Sequence, residues 1–548
     1  MWIKLSNGRV YDPAQHWNGE VRDLFIRDDR IAADPGPGQR FDAEYDLAGQ
    51  VVMAGAIDIH SHIAGGNANN ARVLPPEQHR NFLARRLGHA HETARWSTVD
   101  TGYRYARMGY TTVVEPAVLP ANAWDAHLQM ADIPIIDTAG LAILGSDDFL
   151  LGRLRDGAGQ AEINDYVAWT LNATRCLGLK IINAGGANAF KSNARRFGLD
   201  DVVPAYGVSS RRILEVLQRA VCDLKIPHPA HVHCNNLGMP GNVETALATM
   251  DAAQGLPMHL AHIQFYGYGN EGPRGFSSAA ARLLEGFRRH PNITMDVGQV
   301  LFGQTVTMSG DVIAQFSRRD DANPKKWLMW DAECDGAGGV VPYRYREESF
   351  VNSLQWAIGL EIFLLADDPW RVFFTTDHPN GAPFTRYPHL LRLLMDYGYR
   401  LECLERLHPD VAAMTLLKDL KKEFSLYEVA IMTRTAAAKL LGLADRGHLV
   451  PGALADIAVY QERQDKEAMF SRAALLFKNG ELAVRDGEVV QRRAGTAQII
   501  RPAFDPRIER RIKGYFDRYY SLSLDHFAVN DADFGQAGRF ATHGLRRT

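Results

Sequence analysis

Val51-Val52-Met53-Ala54-Gly55-Ala56-Ile57-Asp58-Ile59-His60-Ser61-His62 is an apolar run of strand character that ends in two histidines separated by one residue. Successive side chains on a strand point to opposite faces, so His60 and His62 share one face and can meet a single metal ion. A His-X-His pair also occurs in ordinary strands, so its weight depends on what the rest of the chain places near it.

Outward from this run, the same pattern recurs. Apolar stretches of strand length occur at 51–62, 111–115, 133–143, 178–183, 230–235, 258–265, 293–302 and 372–378, separated by stretches with helical spacing. Ile213, Leu214, Leu217, Ala220 and Val221 form such a stripe before the fifth run, and Ala279, Leu283 and Phe287 before the seventh. Eight strand and helix alternations predict an α/β fold with a parallel sheet closed into a (β/α)8 TIM-like barrel. In such barrels the reactive side chains gather at the C-terminal ends of the strands.

The ionisable residues fall at those ends: His60 and His62 on the first strand, Lys180 on the fourth, His231 and His233 on the fifth, His259 and His262 on the sixth, Asp377 and His378 on the eighth. Parallel barrel strands are covered on both faces and should be nearly all apolar, so these residues require a partner. A shared metal site supplies one. Spacing does not choose between His231 and His233 or between His259 and His262; His233 and His262 are preferred because they lie nearer the mouth. Asp377 is positioned to bind metal and also to take a proton from water, and His378 faces the other way. A barrel lysine such as Lys180 can react with carbon dioxide to give a carbamate that bridges two cations. In the long segment after the first strand, His79, His89, His91, Asn67, Asn69, Asn70 and Arg72 are candidates for substrate contact.

Residues 1–50 read as short strands and turns, and strand patterning returns after residue 442, with turns at Asn479-Gly480 and Asp486-Gly487. The expected organisation is therefore residues 1–50 and 442–500 as a composite β-sandwich domain, 51–441 as the barrel, and 501–548 as an extension with little clear periodicity.

The chain of 548 residues is 46% hydrophobic and 23% charged with a formal net charge of -3, which gives no reason to expect nucleic-acid or anionic-membrane binding. No apolar run approaches the roughly 18–20 residues of a membrane span, and the start lacks a signal-peptide core, so a cytoplasmic location is expected. Five scattered cysteines without a Cys-X-X-Cys pair exclude an obvious disulfide framework or iron-sulfur motif.

His60-Ser61-His62, Lys180, His233, His262 and Asp377, together with Pro451-Gly452-Ala453-Leu454-Ala455-Asp456, resemble the amidohydrolase superfamily over residues 1 to about 500. Within it, Asn7-Gly8-Arg9-Val10-Tyr11-Asp12-Pro13, the stretch 233–242 and Thr375-Thr376-Asp377-His378-Pro379-Asn380-Gly381 are similar to the A subunits of formylmethanofuran dehydrogenases and of bacterial formyltransferase/hydrolase complexes. The resemblance implies one or two zinc ions, with His60 and His62 on one, His233 and His262 on the other, N6-carboxylated Lys180 between them and Asp377 as ligand and base. It further implies hydrolysis of an N-formyl amide of a methanofuran-type carrier in one-carbon metabolism, within a multisubunit complex containing a formyltransferase. The competing expectations are a cyclic amidase of dihydroorotase or hydantoinase type and a non-catalytic scaffold subunit.

Overall fold

A computed structural model describes residues 1–74, 97–191, 197–272, 274–309, 330–332, 336–520, 523–534 and 539–546. His79, His89 and His91 lie outside the described residues.

Eight parallel strands follow one another in chain order: Ala56–Asp58, Tyr110–Val118, Asp137–Leu144, Gly178–Ile182, Ala230–His233, Met258–Leu260, Ile293–Asp296 and Val372–Phe373. The eighth returns to the first through a parallel bridge between Ser61 and His378, a 2.8 Å bond from His62 N to His378 O, and a 2.6 Å bond from Thr375 Oγ1 to His60 O. The sheet therefore curls into a barrel, and the residues following strands one and eight are tied together at its mouth.

Helices cover the outer face. Ser210–Asp223 buries Ile213, Leu214, Leu217, Ala220 and Val221, the stripe its sequence spacing predicts, and the Ser209 hydroxyl caps it by accepting from Arg212 N at 3.2 Å. Phe350–Leu365, between strands seven and eight, is buried along nearly its whole length, Asn352, Ser353, Gln355 and Glu361 included. Among the described residues, no helix is long and apolar enough to cross a membrane.

The opening run 51–62 divides at Gly55. Val51–Ala54 belongs to a separate mixed sheet of nine strands, and only Ala56–Asp58 enters the barrel. A Cβ on Gly55 would stand 2.3 Å from Thr111 Oγ1, so the crossing from one sheet to the other needs glycine. In the mixed sheet Val51–Ala54 pairs antiparallel with Ile457–Tyr460 and parallel with Trp2–Asp12, joining the two ends of the chain around a core that includes Leu5, Val10, Val52, Ile457 and Phe477.

Two buried carboxylates fasten this sheet to the base of the barrel. Lys478 Nζ lies 2.7 Å from Asp137 Oδ2 and 2.8 Å from Asp456 Oδ2, and Arg446 Nη1 lies 2.6 Å from Asp137 Oδ2. Beyond the mixed sheet the chain returns to the barrel, where Ala497–Ile500 pairs parallel with the third barrel strand, at Ala497 with Thr138 and Gln498 with Ala139, while Phe540–His543 pairs outside it. The extension does contain a periodic element. Arg507–Tyr519 is a helix whose buried Ile508, Ile512 and Phe516 recur every four residues.

Candidate metal centre

The end of the first barrel strand is pinned from behind. Asp58 accepts from His60 N at 3.0 Å and from the hydroxyls of Tyr105 and Tyr387 at 2.7 and 2.6 Å. Burial pushes its carboxyl up to about 6 despite these donors.

From that anchor, each histidine of the pair is held at Nδ1 by a carboxylate. His60 Nδ1 meets Asp296 Oδ2 at 2.9 Å, and His62 Nδ1 meets Glu115 Oε1 at 2.9 Å. The Nε2 atoms consequently turn to the same side, where Asp377 Oδ1 lies 3.1 Å from His60 Nε2 and 3.3 Å from His62 Nε2. A carboxylate on the far nitrogen is the arrangement that fixes the tautomer of a metal-ligating histidine. Burial opposes charge on His62, but Glu115 and Asp377 outweigh it and raise the group to about 9.

His262 comes in from the sixth strand in a left-handed backbone conformation, φ +34°, with its N–H donating to Asp296 Oδ1 at 2.6 Å. His233 Nδ1 lies 3.0 Å from His262 Nε2. Ligand atoms of His60, His262 and Asp377 all lie within 4.8 Å of one another.

Lys180 is buried, and its Nζ makes no hydrogen bond among the described residues. Desolvation lowers the amine to about 8, although Asp296 and Asp377 act in the opposite sense. The neutral, nucleophilic amine is therefore easier to reach here than in a solvated lysine.

The second member of each histidine pair lies elsewhere. His231 Nε2 is 3.0 Å from His60 Nδ1, and its Nδ1 is 3.0 Å from His228 Nε2, so it stands behind His60 on the carboxylate side. His259 Nε2 bonds Asp296 Oδ2 at 3.0 Å, and its Nδ1 meets Thr294 Oγ1 at 2.9 Å. His60, His231 and Asp296 form another group of converging ligand atoms, but His60 Nδ1 can serve either that group or its bond to Asp296. His378 accepts from Phe384 N at 3.2 Å.

These atoms suit a cation. Among the described residues, Nδ1 of His262 and Nζ of Lys180 are buried without a hydrogen-bond partner, and Nε2 of His60 and Oδ1 of Asp377 face each other at 3.1 Å without a well-aligned hydrogen bond, a costly arrangement unless something else binds them. Imidazole nitrogens with carboxylate oxygen are the donor set of zinc and similar borderline divalent ions.

Sequence reasoning passed over Glu115, Asp296 and Asp58, although all three are carboxylates in or at the end of apolar barrel strands. The signal that singled out Asp377 applies equally to them: a buried strand-end acid requires a partner. Beyond His233, the Asn235 and Asn236 side chains donate to Ser210 Oγ at 2.9 Å and Thr245 Oγ1 at 3.2 Å.

A parallel eight-stranded barrel with histidines and a carboxylate converging at its C-terminal mouth is the architecture of the amidohydrolase class. The chain belongs to the amidohydrolase family, whose sequence profile matches residues 43–491. It is 47% identical over 540 residues to the A subunit of the formyltransferase/hydrolase complex Fhc of Methylorubrum extorquens, covering 97% of both chains. It is 36% identical over 552 residues to protein FwdA of Methanocaldococcus jannaschii, covering 96% of both. Among solved structures, a chain of the M. extorquens FhcABCD complex with methylofuran superposes with a TM-score of 0.94 at 46% identity over 100% of each chain. N-acyl-D-glutamate deacylase of Bordetella bronchiseptica, at 18% identity and a TM-score of 0.51 over 89% of this chain and 98% of its own, shares the fold.

Proposed function

We propose that this chain is the hydrolytic subunit of a formyltransferase/hydrolase complex. It cleaves the N-formyl amide of a methanofuran-type carrier to formate and the free amine. The observation that carries the reading is the convergence of His60, His62, His262 and Asp377 beside the unpartnered Lys180, in a chain similar along its length to the A subunit of an Fhc complex.

His60, His62, Lys180, His233, His262 and Asp377 would hold one or two zinc ions, with Lys180 N6-carboxylated. When bound, the metal supplies a Lewis acid for the formyl oxygen and makes water nucleophilic near neutral pH. Asp296 and Glu115 keep Nε2 of His60 and His62 turned toward the site. Asp377, held ionised because His262 and His60 outweigh the cost of its burial, accepts the proton from the attacking water. As the C–O bond forms and the C–N bond breaks, Asp377 passes that proton to the leaving nitrogen, so the products are formate and amine. A multisubunit complex with a formyltransferase would deliver the formyl carrier, and the setting would be cytoplasmic.

The test is formate release from a formylated furan-type carrier by the metal-loaded complex, with hydantoin and dihydroorotate as comparison substrates. Turnover of the cyclic amides in place of the formamide would replace the substrate class. Less than about one ion per barrel, with no turnover of either, would leave a scaffold subunit.

A further inference from the structure

The helix Gly65–Val73 follows the first barrel strand and brings Arg72 back toward it. Its guanidinium donates to Ile63 O, immediately after His62, and to the side-chain oxygens of Asn69 at 2.7 Å and Gln129 at 3.3 Å. All three acceptors are neutral. Three of the five N–H donors are thereby used, leaving Nε and one hydrogen of Nη2 without a partner among the described residues. Desolvation lowers the group to about 10, and Glu115 and Asp125 offset this only in part.

A cleft opens beside this guanidinium and reaches His62 and His378. It spans about 510 Å³, open solvent at its mouth included, between Ala68 and Ala71 on the helix and Val306 on the strand Gly303–Ser309. Among the described residues, no acidic side chain lines it. A permanent cation hydrogen-bonded only to neutral acceptors, at a cleft lined by neutral threonines, alanines and prolines beside His62 and His378, favours an anion in that cleft.

We propose that Arg72 is the formate subsite of this centre. The inference rests on the hydrolytic reading above and adds to it the residue that recognises the one-carbon product. A planar guanidinium matches the two oxygens of a carboxylate, a geometry lysine does not reproduce. The same charge repels the protonated amine, so the two products separate by charge: formate pauses in the cleft while the carrier departs. In the reverse direction Arg72 gathers formate before it is joined to the amine.

The experiment compares wild type with Arg72→Gln and Arg72→Lys in the full chain, within its complex. Binding of ¹³C-labelled formate is followed by NMR on both metal-free and metal-loaded protein, so that formate held by metal alone is distinguished. The subsite predicts that Arg72→Gln weakens formate binding at least about tenfold in both forms, that Arg72→Lys retains part of it, and that binding of neutral acetamide is unchanged. It also predicts that nitrate displaces formate from the wild type, an arm that requires no variant to fold. Formate binding equal in wild type and Arg72→Gln, or an equal loss of formate and acetamide, would overturn the subsite. Arg72-dependent formate binding without any hydrolysis of the formyl carrier would support the subsite and count against the hydrolytic reading. Hydrolysis with product inhibition indifferent to Arg72 would do the reverse.

Discussion

The carboxylate of Asp296 stands 2.9 Å from Nδ1 of His60 and so decides which face of that imidazole is offered to Asp377. The same carboxylate accepts from His259 Nε2 at 3.0 Å and from His262 N at 2.6 Å, so one group orients residues from strands one and six. Asp296→Asn keeps the shape but loses the charge. Metal affinity should fall by about 10- to 100-fold, the usual worth of a carboxylate behind a ligating histidine. Chelator competition followed by metal analysis measures this; unchanged retention would refute the orienting role.

Asp377→Asn removes the group that moves the proton. Turnover of the formamide should drop by about 10² to 10⁴ while far-UV circular dichroism stays the same. Near-normal turnover in a fully metal-loaded sample would assign the proton transfer to another residue.

Gly298 has φ +67°, and a Cβ there would stand 2.4 Å from His262 Cβ and 2.8 Å from its Cα. Gly298→Ala should therefore displace His262 and lower the metal content. It should also reduce stability by about 1–3 kcal/mol through overpacking and the unfavourable backbone angle. Denaturant unfolding and metal analysis on one preparation read both effects, and a fully loaded, equally stable variant would contradict the packing argument.

Much of this centre was legible from residue order. Apolar runs of strand length alternating with stretches of helical spacing located the eight barrel strands, and proximity to the mouth favoured His233 and His262, whose facing nitrogens are 3.0 Å apart while His231 and His259 sit against the Asp296 carboxylate. What escaped was local or reciprocal. The break at Gly55 depends on Thr111, a neighbour brought close only by the fold. Asp296 and Glu115 acquire their meaning from imidazoles on other strands, and linear spacing does not encode those pairings. The helix Arg507–Tyr519 was overlooked because arginines and tyrosines surround its narrow stripe of Ile508, Ile512 and Phe516.

Lys478 joins two buried carboxylates, so Lys478→Met strips Asp456 of its buried ammonium partner and leaves Asp137 with Arg446 alone. A loss of about 3–5 kcal/mol is expected in urea unfolding. Burial opposes ionisation of Asp137, but Lys478 and Arg446 outweigh it and hold its carboxyl well below the usual range. A group whose folded pKa is depressed contributes its full stability above the unfolded value of about 3.9 and loses it as pH falls further. The wild type should consequently weaken below about pH 4, and the variant, which has less of this contribution to lose, should show a shallower slope. Parallel pH profiles would exclude the linkage.

The strand Ala497–Ile500 carries one further consequence, for the order of events during synthesis. It covers the part of the third barrel strand that the fourth leaves unpaired, and Thr496 N bonds Asp137 Oδ1 across a separation of 359 residues. That strand emerges early from the ribosome and waits for nearly the whole chain before its edge is protected. Contacts this distant in sequence form slowly, and an open strand edge invites mispairing while it waits. The nascent chain is therefore most exposed to aggregation in the interval between its third barrel strand and its last fifty or so residues, and a chaperone would act to greatest effect there.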